Sequence, residues 1–314
     1  MSPYARLRSL FFLLFVALVL SGCASTSRQV TDSAISWDRH SAGLERKEIV
    51  LANGLRYVYL EGGKGEPLML LHGFGGNKDN FVRTAQYLTP HFRVILPDHI
   101  GFGESAHPPQ ADYSPTAQAE RIRALAQALG IQKVHLGGNS MGGHIALAYA
   151  ARAPEEVASL WLLSSAGVWK NAPPSEVFET IAKGQRNPLI IKNEDDYARL
   201  IPVIMNDPPF MPRFAMNALA QERINNAQLE ERILPELYKD PVDERIQGLA
   251  TPALIVWGEQ DRVIHPGTAE VMHKLMPRSQ VIIMPGVGHV EMVERPKQSA
   301  EDYLNFRAAL AEMR

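Results

Sequence analysis

The pentapeptide Gly138-Asn139-Ser140-Met141-Gly142 constrains the fold of this chain more than any other feature. It lies between an apolar run typical of a strand and an alanine-rich run typical of a helix. At a sharp strand-to-helix turn, Gly138 and Gly142 would remove Cβ atoms that collide with the backbone, and Ser140 would be exposed at a helix N-terminus, which favours a developing negative charge. The motif therefore predicts a nucleophilic serine. The alternative is a glycine-rich turn whose serine has no chemical role.

A serine hydroxyl is a weak nucleophile without a base, so Ser140 requires a carboxylate and a histidine further along the chain. Asp261 follows the strand-like run 253–258, and His289 follows the run 281–284. Both lie just beyond the carboxyl end of a predicted strand, where open α/β sheets place their ligand sites. The sequence predicts that His289 accepts the Ser140 proton and that Asp261 orients the imidazole.

Other residues compete for these two roles. Glu259 is the alternative to Asp261, since it is two residues closer to the strand, although we expect it to be a loop or surface carboxylate. Histidines in polar or proline-flanked stretches are expected at the surface, and those beside the pentapeptide are expected to be packed or to cap it. The first group is His40, His91, His107 and His273, and the second is His135 and His144.

A second glycine-rich turn offers hydrogen-bond donors for an anionic intermediate. It follows the strand-like run 68–71 and comprises residues 72–76. The backbone N–H groups of Phe74 and Met141 are the predicted oxyanion donors, and His72 is expected to hold the turn by hydrogen bonds. A phosphate loop is the alternative use of such glycines. Neither G-x-x-x-x-G-K-[ST] nor G-x-G-x-x-G is present in the sequence, which disfavours nucleotide binding.

Five motifs occur in order within residues 44–314. They are HGFGGNKDNF at 72–81, PDHIGFGES at 97–105, GNSMGG at 138–143, WGEQD at 257–261 and GH at 288–289. Together they resemble enzymes of the α/β-hydrolase fold, and within that group the bacterial lipases and esterases and the related monoacylglycerol lipases. The second motif departs from the D-x-G-x-G-x-S turn of many members by one additional bulky residue, and we expect its role to be structural.

Length and composition agree with one large α/β domain, since 46% of the 314 residues are hydrophobic and 21% are charged. Strand-like runs alternate with helix-like stretches, which predicts a mainly parallel sheet covered by helices on both faces. These runs lie at 55–60, 68–71, 92–96, 133–137, 159–165, 253–257 and 280–284. The predicted architecture is an α/β-hydrolase core at 44–166 and 246–314 with an inserted helical cap, or lid, at 167–245.

The cap segment is rich in proline and carries amphipathic helix patterns, which predict helices at 175–183, 194–205 and 213–237. Its underside is expected to line an acyl pocket. The candidate pocket residues are Phe210, Met211, Phe214 and Met216, with packing inside the cap as the alternative. A cap of this size favours a short-chain ester or a monoacylglycerol over a bulky triglyceride.

The N-terminus carries an export signal. Arg6 and Arg8 precede the apolar run 10–20, which is shorter than the ~20 residues that a membrane-spanning helix needs. The tetrapeptide that ends in Cys23 resembles a bacterial lipobox. This resemblance implies a lipoprotein signal peptide at residues 1–22 that is removed by cleavage.

Cys23 would then receive lipid on its sulfur, and Ala24 resembles the pattern that directs lipoproteins to the outer membrane. Residues 23–43 would form a polar tether between this anchor and the core. Cys23 is the only cysteine of the chain, so no intramolecular disulfide is possible. The alternative is an ordinary signal peptide in which the cysteine is coincidental.

Charge and motif content limit the partners and the reaction class. A net charge of −2 gives no basic footprint for nucleic acid, and no metal-ligand motif is present, so neither a metal nor a cofactor is expected. The sequence favours a serine carboxylester hydrolase that acts on a small-molecule or lipid ester. The alternatives are a carbon–carbon bond hydrolase of the meta-cleavage product type, which GNSMGG also resembles, and a non-catalytic anchored lipoprotein on a hydrolase scaffold.

Overall fold

A computed structural model describes residues 24–312, which are organised around one eight-stranded sheet. Cys23 and the predicted signal peptide lie outside the described residues. The strands are β1 Leu44–Val50, β2 Arg56–Gly62, β3 Glu66–Leu71, β4 Phe92–Pro97, β5 Val134–Asn139, β6 Val157–Leu163, β7 Ala253–Gly258 and β8 Ser279–Met284. Their order is β1-β2-β4-β3-β5-β6-β7-β8. The β1–β2 and β2–β4 pairs are antiparallel and all other pairs are parallel, which confirms the predicted mainly parallel sheet.

Helices cover both faces of this sheet. Successive strand residues point to opposite sides, so each face presents apolar side chains that must be buried. Met69 and Leu71 belong to one buried cluster with the helices Pro115–Ala128 and Met141–Arg152, whereas Leu68 and Leu70 belong to a second cluster with the helix Pro296–Glu312. The described helices are α1 Ala24–Ser41, α2 Val82–Ala85, α3 Pro115–Ala128, α4 Met141–Arg152, α5 Glu176–Ala182, α6 Glu194–Ile204, α7 Arg213–Lys239, α8 Thr268–Leu275, α9 Glu291–Glu294 and α10 Pro296–Glu312.

The three helices predicted for the cap segment are present as α5, α6 and α7, with ends within two residues of the prediction. Two of them begin at capping residues. The Ser175 hydroxyl accepts a hydrogen bond from the Phe178 N–H at 3.1 Å, and the Asn193 side chain accepts one from the Asp196 N–H at 2.9 Å. These bonds satisfy N–H groups that lack a partner within the helix, which fixes where each helix starts.

The segment predicted as a polar tether is helical over residues 24–41. It forms helix α1, which packs against α7 and β1. Arg39 Nε lies 2.6 Å from Asp79 Oδ1, so the C-terminal end of α1 is bound to the loop after β3. Its tethering role stays a prediction. Within residues 24–312 there is no helix with the length and apolar character that a membrane span requires.

Candidate active site

Ser140 lies between β5 and α4 with a strained backbone conformation. Its φ is 54° and its ψ is −117°, a region that non-glycine residues rarely occupy. A Cβ atom on Gly138 would collide with the backbone of Gly142, as the sequence predicts for a sharp turn. The conformation is held by backbone hydrogen bonds, from the Ser140 N–H to the Leu163 carbonyl and from the Ala166 N–H to the Ser140 carbonyl, both at 3.0 Å.

Asp261 and His289 meet at the carboxyl ends of β7 and β8. Both are buried, and His289 Nδ1 lies 2.8 Å from Asp261 Oδ2. The other carboxylate oxygen accepts the N–H groups of Val263 at 2.8 Å and Ile264 at 3.0 Å, so the carboxylate is fixed in orientation. Because Asp261 accepts the Nδ1 proton, His289 Nε2 is the acceptor of the neutral ring.

Glu259, the alternative acid, is exposed and its carboxylate accepts a long bond from the Gln260 side chain at 3.4 Å. In residues 24–312 no hydrogen bond joins Glu259 to His289. The geometry therefore favours Asp261 as the partner of the imidazole.

Asn139 connects the serine turn to the histidine loop, a role that the sequence does not indicate. Its amide nitrogen donates to the His289 carbonyl at 2.8 Å and to the Leu163 carbonyl at 3.2 Å. Among the described residues, no hydrogen bond joins Ser140 Oγ directly to the His289 ring. Such bonds are often long before a substrate binds. Asn139 nevertheless places the backbone of His289 next to the residue that precedes Ser140.

The glycine-rich turn at residues 72–76, named here the oxyanion turn, lies against Ser140. A Cβ atom on Gly73 would be 3.3 Å from Ser140 Cβ. Met141 is the first residue of α4, so its N–H has no acceptor within the helix. The Phe74 N–H donates no hydrogen bond to residues of the described chain. Both predicted oxyanion donors are therefore available to a ligand.

His72 holds the oxyanion turn, which confirms its expected structural role. Its Nδ1 lies 2.8 Å from the Gly73 carbonyl oxygen, and its Nε2 accepts the His99 N–H at 3.1 Å. Burial lowers the pKa of His72 to about 4, so the ring is neutral near pH 7. These two bonds then assign its proton to Nδ1, and the ring bridges the turns that follow β3 and β4.

Asp98, in the second sequence motif, also has a structural role. Its buried carboxylate accepts the Lys78 N–H at 2.7 Å, the Lys78 ammonium at 2.8 Å and the Glu104 N–H at 2.8 Å. These bonds join the loop after β3 to the turn after β4. The second motif thus joins the loop that follows the oxyanion turn to the turn after β4, as expected for a structural role.

The other histidines fall largely as predicted. His40, His91 and His107 are exposed, and His135 and His144 are buried, with His144 Nε2 2.8 Å from the Asp240 carbonyl oxygen. His273 was expected at the surface but is half-buried, and its Nδ1 lies 2.8 Å from Ser279 Oγ. The helix α8 that carries His273 packs on β8, which explains the difference.

The candidate pocket residues do not share one environment. Phe210, Met211 and Phe214 line a cavity of about 420 Å³ between α1, the cap and residues 75–76 of the oxyanion turn, whereas Met216 does not. The Phe210 side chain is 93% exposed. Neither Ser140 nor His289 lines this cavity. The acyl-pocket role of these residues stays a prediction. In the described part of the chain, no group of three His, Cys, Asp or Glu residues could hold a metal ion.

Glu291, two residues after His289, is a fully buried carboxyl whose role the sequence likewise does not indicate. Its Oε1 accepts the Ser164 hydroxyl at 2.6 Å and the Gly258 N–H at 3.1 Å, whereas its Oε2 has no hydrogen-bond partner within residues 24–312. Burial raises the pKa of Glu291 well above its usual value, and Asp261 raises it further. The buried carboxyl joins β6, β7 and the histidine loop, and its raised pKa favours the neutral form beside the Asp261 carboxylate.

Replacing Glu291 with Gln is expected to raise the free energy of unfolding relative to the wild type by an amount that grows as the pH rises. Because the pKa of Glu291 is raised in the folded protein, its contribution to the free energy of unfolding is complete below the pKa of the unfolded chain, near 4.3. This contribution declines as the pH rises towards the pKa of the folded protein. Gln keeps an acceptor for Ser164 and Gly258 but cannot ionise. The gain in unfolding free energy over the wild type should thus grow between pH 5 and pH 8, by up to about 1.4 kcal/mol as the pH rises by one. Urea unfolding of both proteins at pH 5 and pH 8 measures this gain. An equal difference between variant and wild type at both pH values would contradict a raised pKa of Glu291.

Comparison with known proteins identifies a family and several relatives of this chain. Residues 66–296 match a family model described as alpha/beta hydrolase fold. The chain is 42% identical to Lipase 1 of Psychrobacter immobilis, over 98% of this chain and 99% of the relative, and 43% identical to Lipase 3 of Moraxella sp. (strain TA144), over 94% and 96%. A solved structure of a bacterial membrane phospholipase A superposes with a TM-score of 0.87 at 38% identity, over 98% of this chain and 99% of that one.

Proposed function

Because the chain belongs to the α/β-hydrolase fold family and is a carboxylic ester hydrolase, we propose that it acts through an acyl-enzyme on Ser140. The observation that carries this proposal is the buried Asp261–His289 pair, whose 2.8 Å bond leaves His289 Nε2 as an acceptor. Ser140 lies at a strained turn whose neighbouring residue binds the His289 carbonyl. The proposed nucleophile, carboxylate and base thus follow β5, β7 and β8, which run parallel in the same sheet.

In the first half of the reaction, Ser140 Oγ attacks the ester carbonyl carbon while His289 Nε2 takes its proton. Asp261 stabilises the imidazolium that forms. The carbonyl oxygen becomes an oxyanion, which the N–H groups of Phe74 and Met141 stabilise. When the tetrahedral intermediate collapses, the bond to the alcohol oxygen breaks and His289 gives its proton to the departing alcohol. Ser140 is left as an acyl ester.

In the second half, water replaces the alcohol. His289 Nε2 takes a proton from the water as its oxygen attacks the acyl carbon, and the same two N–H groups stabilise the second oxyanion. Collapse breaks the bond to Ser140 Oγ, which recovers the proton from His289. The products are a carboxylic acid, the alcohol and free enzyme, and no cofactor takes part in either half.

The relatives and the cap support a proposal for the substrate class. Two relatives above 40% identity are named lipases, and another, at 28% identity, is a monoacylglycerol lipase of Xenopus laevis. We infer a lipid ester with a modest acyl group, such as a monoacylglycerol, as the substrate. A panel of p-nitrophenyl esters from acetate to palmitate, with a monoacylglycerol, tests this inference. Turnover of a meta-cleavage product but of no ester would favour the carbon–carbon hydrolase instead.

We further propose that the enzyme is exported and attached to the bacterial outer membrane through lipid on Cys23. The lipobox-like tetrapeptide supports this location, as does the similarity to a membrane phospholipase A. Replacing Cys23 with Ser should abolish incorporation of labelled palmitate into the protein and leave the signal peptide uncleaved. Metabolic labelling followed by immunoprecipitation measures both effects. Equal labelling of the variant would contradict the anchor.

A further inference from the structure

One face of cap helix α7 lies against the oxyanion turn and the loops beside it. The Arg223 guanidinium carbon is 5.6 Å from the centre of the Phe74 ring. One residue earlier, Glu222 Oε2 accepts the Asn77 side-chain amide at 3.1 Å, and three residues later Asn226 Nδ2 donates to the Gly101 carbonyl at 2.9 Å. Residues at this spacing share one side of a helix. The cap is therefore bound to the part of the core that carries a predicted oxyanion donor.

Arg223 is buried and its guanidinium is fixed in place. Its side chain is 8% exposed and that of its partner Glu230 is 1% exposed. Arg223 Nε donates to Glu230 Oε1 at 2.8 Å, while Nη2 donates to Glu230 Oε2 at 2.9 Å and to the Leu189 carbonyl at 2.6 Å. Taking two charges out of water is costly, so a buried pair is weak evidence for stability. This forked geometry instead suits a planar group that must be held in one orientation.

The guanidinium that Glu230 fixes lies directly on the backbone of the oxyanion turn. Gly75 has a φ of 67°, and a Cβ atom at this position would collide with the Arg223 guanidinium. Arg223 thus occupies the space into which the Phe74–Gly75 peptide could otherwise move. On the other side, the Phe74 ring packs edge-on against Phe102 with 5.9 Å between ring centres. The residue that carries the N–H donor is held between the cap and the core.

We propose that Arg223 is a positioning residue for ester hydrolysis, which holds the Phe74 N–H at the oxyanion site and is itself oriented by Glu230. The inference rests on the proposed function. Since Arg223 belongs to the cap, the Phe74 donor is fully in place only while α7 is docked on the turn. A misplaced Phe74 N–H should destabilise the transition state more than the bound substrate, because an oxyanion donor binds the charged oxygen more strongly than the neutral carbonyl.

The test replaces Arg223 with Met and compares kcat, KM and inhibition by an alkyl boronic acid. In the boronate adduct, Ser140 Oγ bonds to boron, its proton moves to His289 and a boron-bound oxygen occupies the oxyanion site. Losing one oxyanion donor outright costs about 100- to 1,000-fold in kcat, so its misplacement should cost about 10- to 100-fold. KM should stay within about threefold, and boronate affinity should fall in parallel with kcat.

Arg232→Met is the matched control, because Arg232 lies on the same helix and also stacks on an aromatic ring, Tyr113, at 5.5 Å. It has no bond to the oxyanion turn within residues 24–312 and should behave as the wild type. If Arg223→Met does not fold, Glu230→Gln keeps the side-chain volume, removes the ion pair and should lower kcat and boronate affinity together by a smaller factor.

Unchanged kcat and boronate affinity in a folded Arg223→Met protein would overturn the inference, and so would an equal loss in Arg232→Met. If Arg223→Met is unfolded, the same unchanged values in Glu230→Gln would overturn it. Failure of the proposed function would be distinct, because the wild type itself would then neither hydrolyse esters nor bind the boronic acid. A raised KM at constant kcat would also contradict the inference, since it would place Arg223 in substrate binding.

Discussion

Replacing Ser140 with Ala is expected to abolish ester hydrolysis, with a fall in kcat of about 10⁴- to 10⁶-fold. The variant loses the atom that forms the acyl-enzyme, and water must then attack the ester directly. The fold should be retained, because Ser140 is only half-buried and its hydroxyl makes no hydrogen bond to the described residues. The substitution should not change the backbone strain at this position, because Ser and Ala are both unfavourable at the φ of 54° that Ser140 has.

The measurement is the initial rate of p-nitrophenyl ester and monoacylglycerol hydrolysis, with thermal unfolding to check the fold. Ser164→Ala is a suitable control, because Ser164 also has a positive φ, at 41°, and directly follows the neighbouring strand β6. Its hydroxyl binds Glu291 and not a reacting group, so this variant should keep most of its activity. A fluorescent phosphonate that labels active serines should react with wild type and Ser164→Ala only. Near-normal turnover by Ser140→Ala would refute the assignment of the nucleophile.

Most of the sheet could be predicted because its inner parallel strands are largely buried on both faces and appear as continuous apolar runs. The run 253–257, for example, corresponds to β7, in which every residue is buried. Strand β1 was missed for the opposite reason. Its sequence LERKEIV has one fully buried residue, Leu44, and the strand is formed by pairing with β2 along its whole length. A charged edge strand of this kind has no apolar periodicity to detect.

Helix α1 shows the same limit at the N-terminus. Its sequence is polar and rich in Ser and Thr, which favours a linker when read locally. The helix is instead stabilised by partners far along the chain, including α7 and the Asp79 carboxylate. Tertiary packing supplies most of the stability of helices in proteins, and the local sequence does not record it.

The proposed triad could be predicted because each member follows a recognisable strand, so the sheet itself brings the side chains to one edge. The residues that support it carry no such signal. Asn139 binds a carbonyl 150 residues away. Arg223 lies on a cap helix whose sequence pattern predicts the helix but not its contact with Phe74. These contacts arise from the fold as a whole. The reacting groups are therefore easier to predict from sequence than the groups that position them.

Replacing Asp261 with Asn is the second large effect, with an expected fall in kcat of about 10⁴-fold. The Asn oxygen can still accept the N–H groups of Val263 and Ile264, so the loop after β7 keeps its conformation. Its amide nitrogen would then face His289 and donate a proton to Nδ1. The neutral ring would carry its own proton on Nε2, which could no longer accept one from Ser140.

Glu259→Gln is the matched control, because it makes the same carboxylate-to-amide change two residues away on an exposed side chain. It should stay within about twofold of the wild type, as expected for a surface position. The same esters and unfolding assay apply, and raising the pH should not rescue Asp261→Asn, because the defect is the tautomer and not the protonation state. A large loss in Glu259→Gln with a small one in Asp261→Asn would exchange the two roles. Small losses in both would mean that His289 is oriented by its backbone contact with Asn139 alone, and the 2.8 Å bond to Asp261 would then be structural.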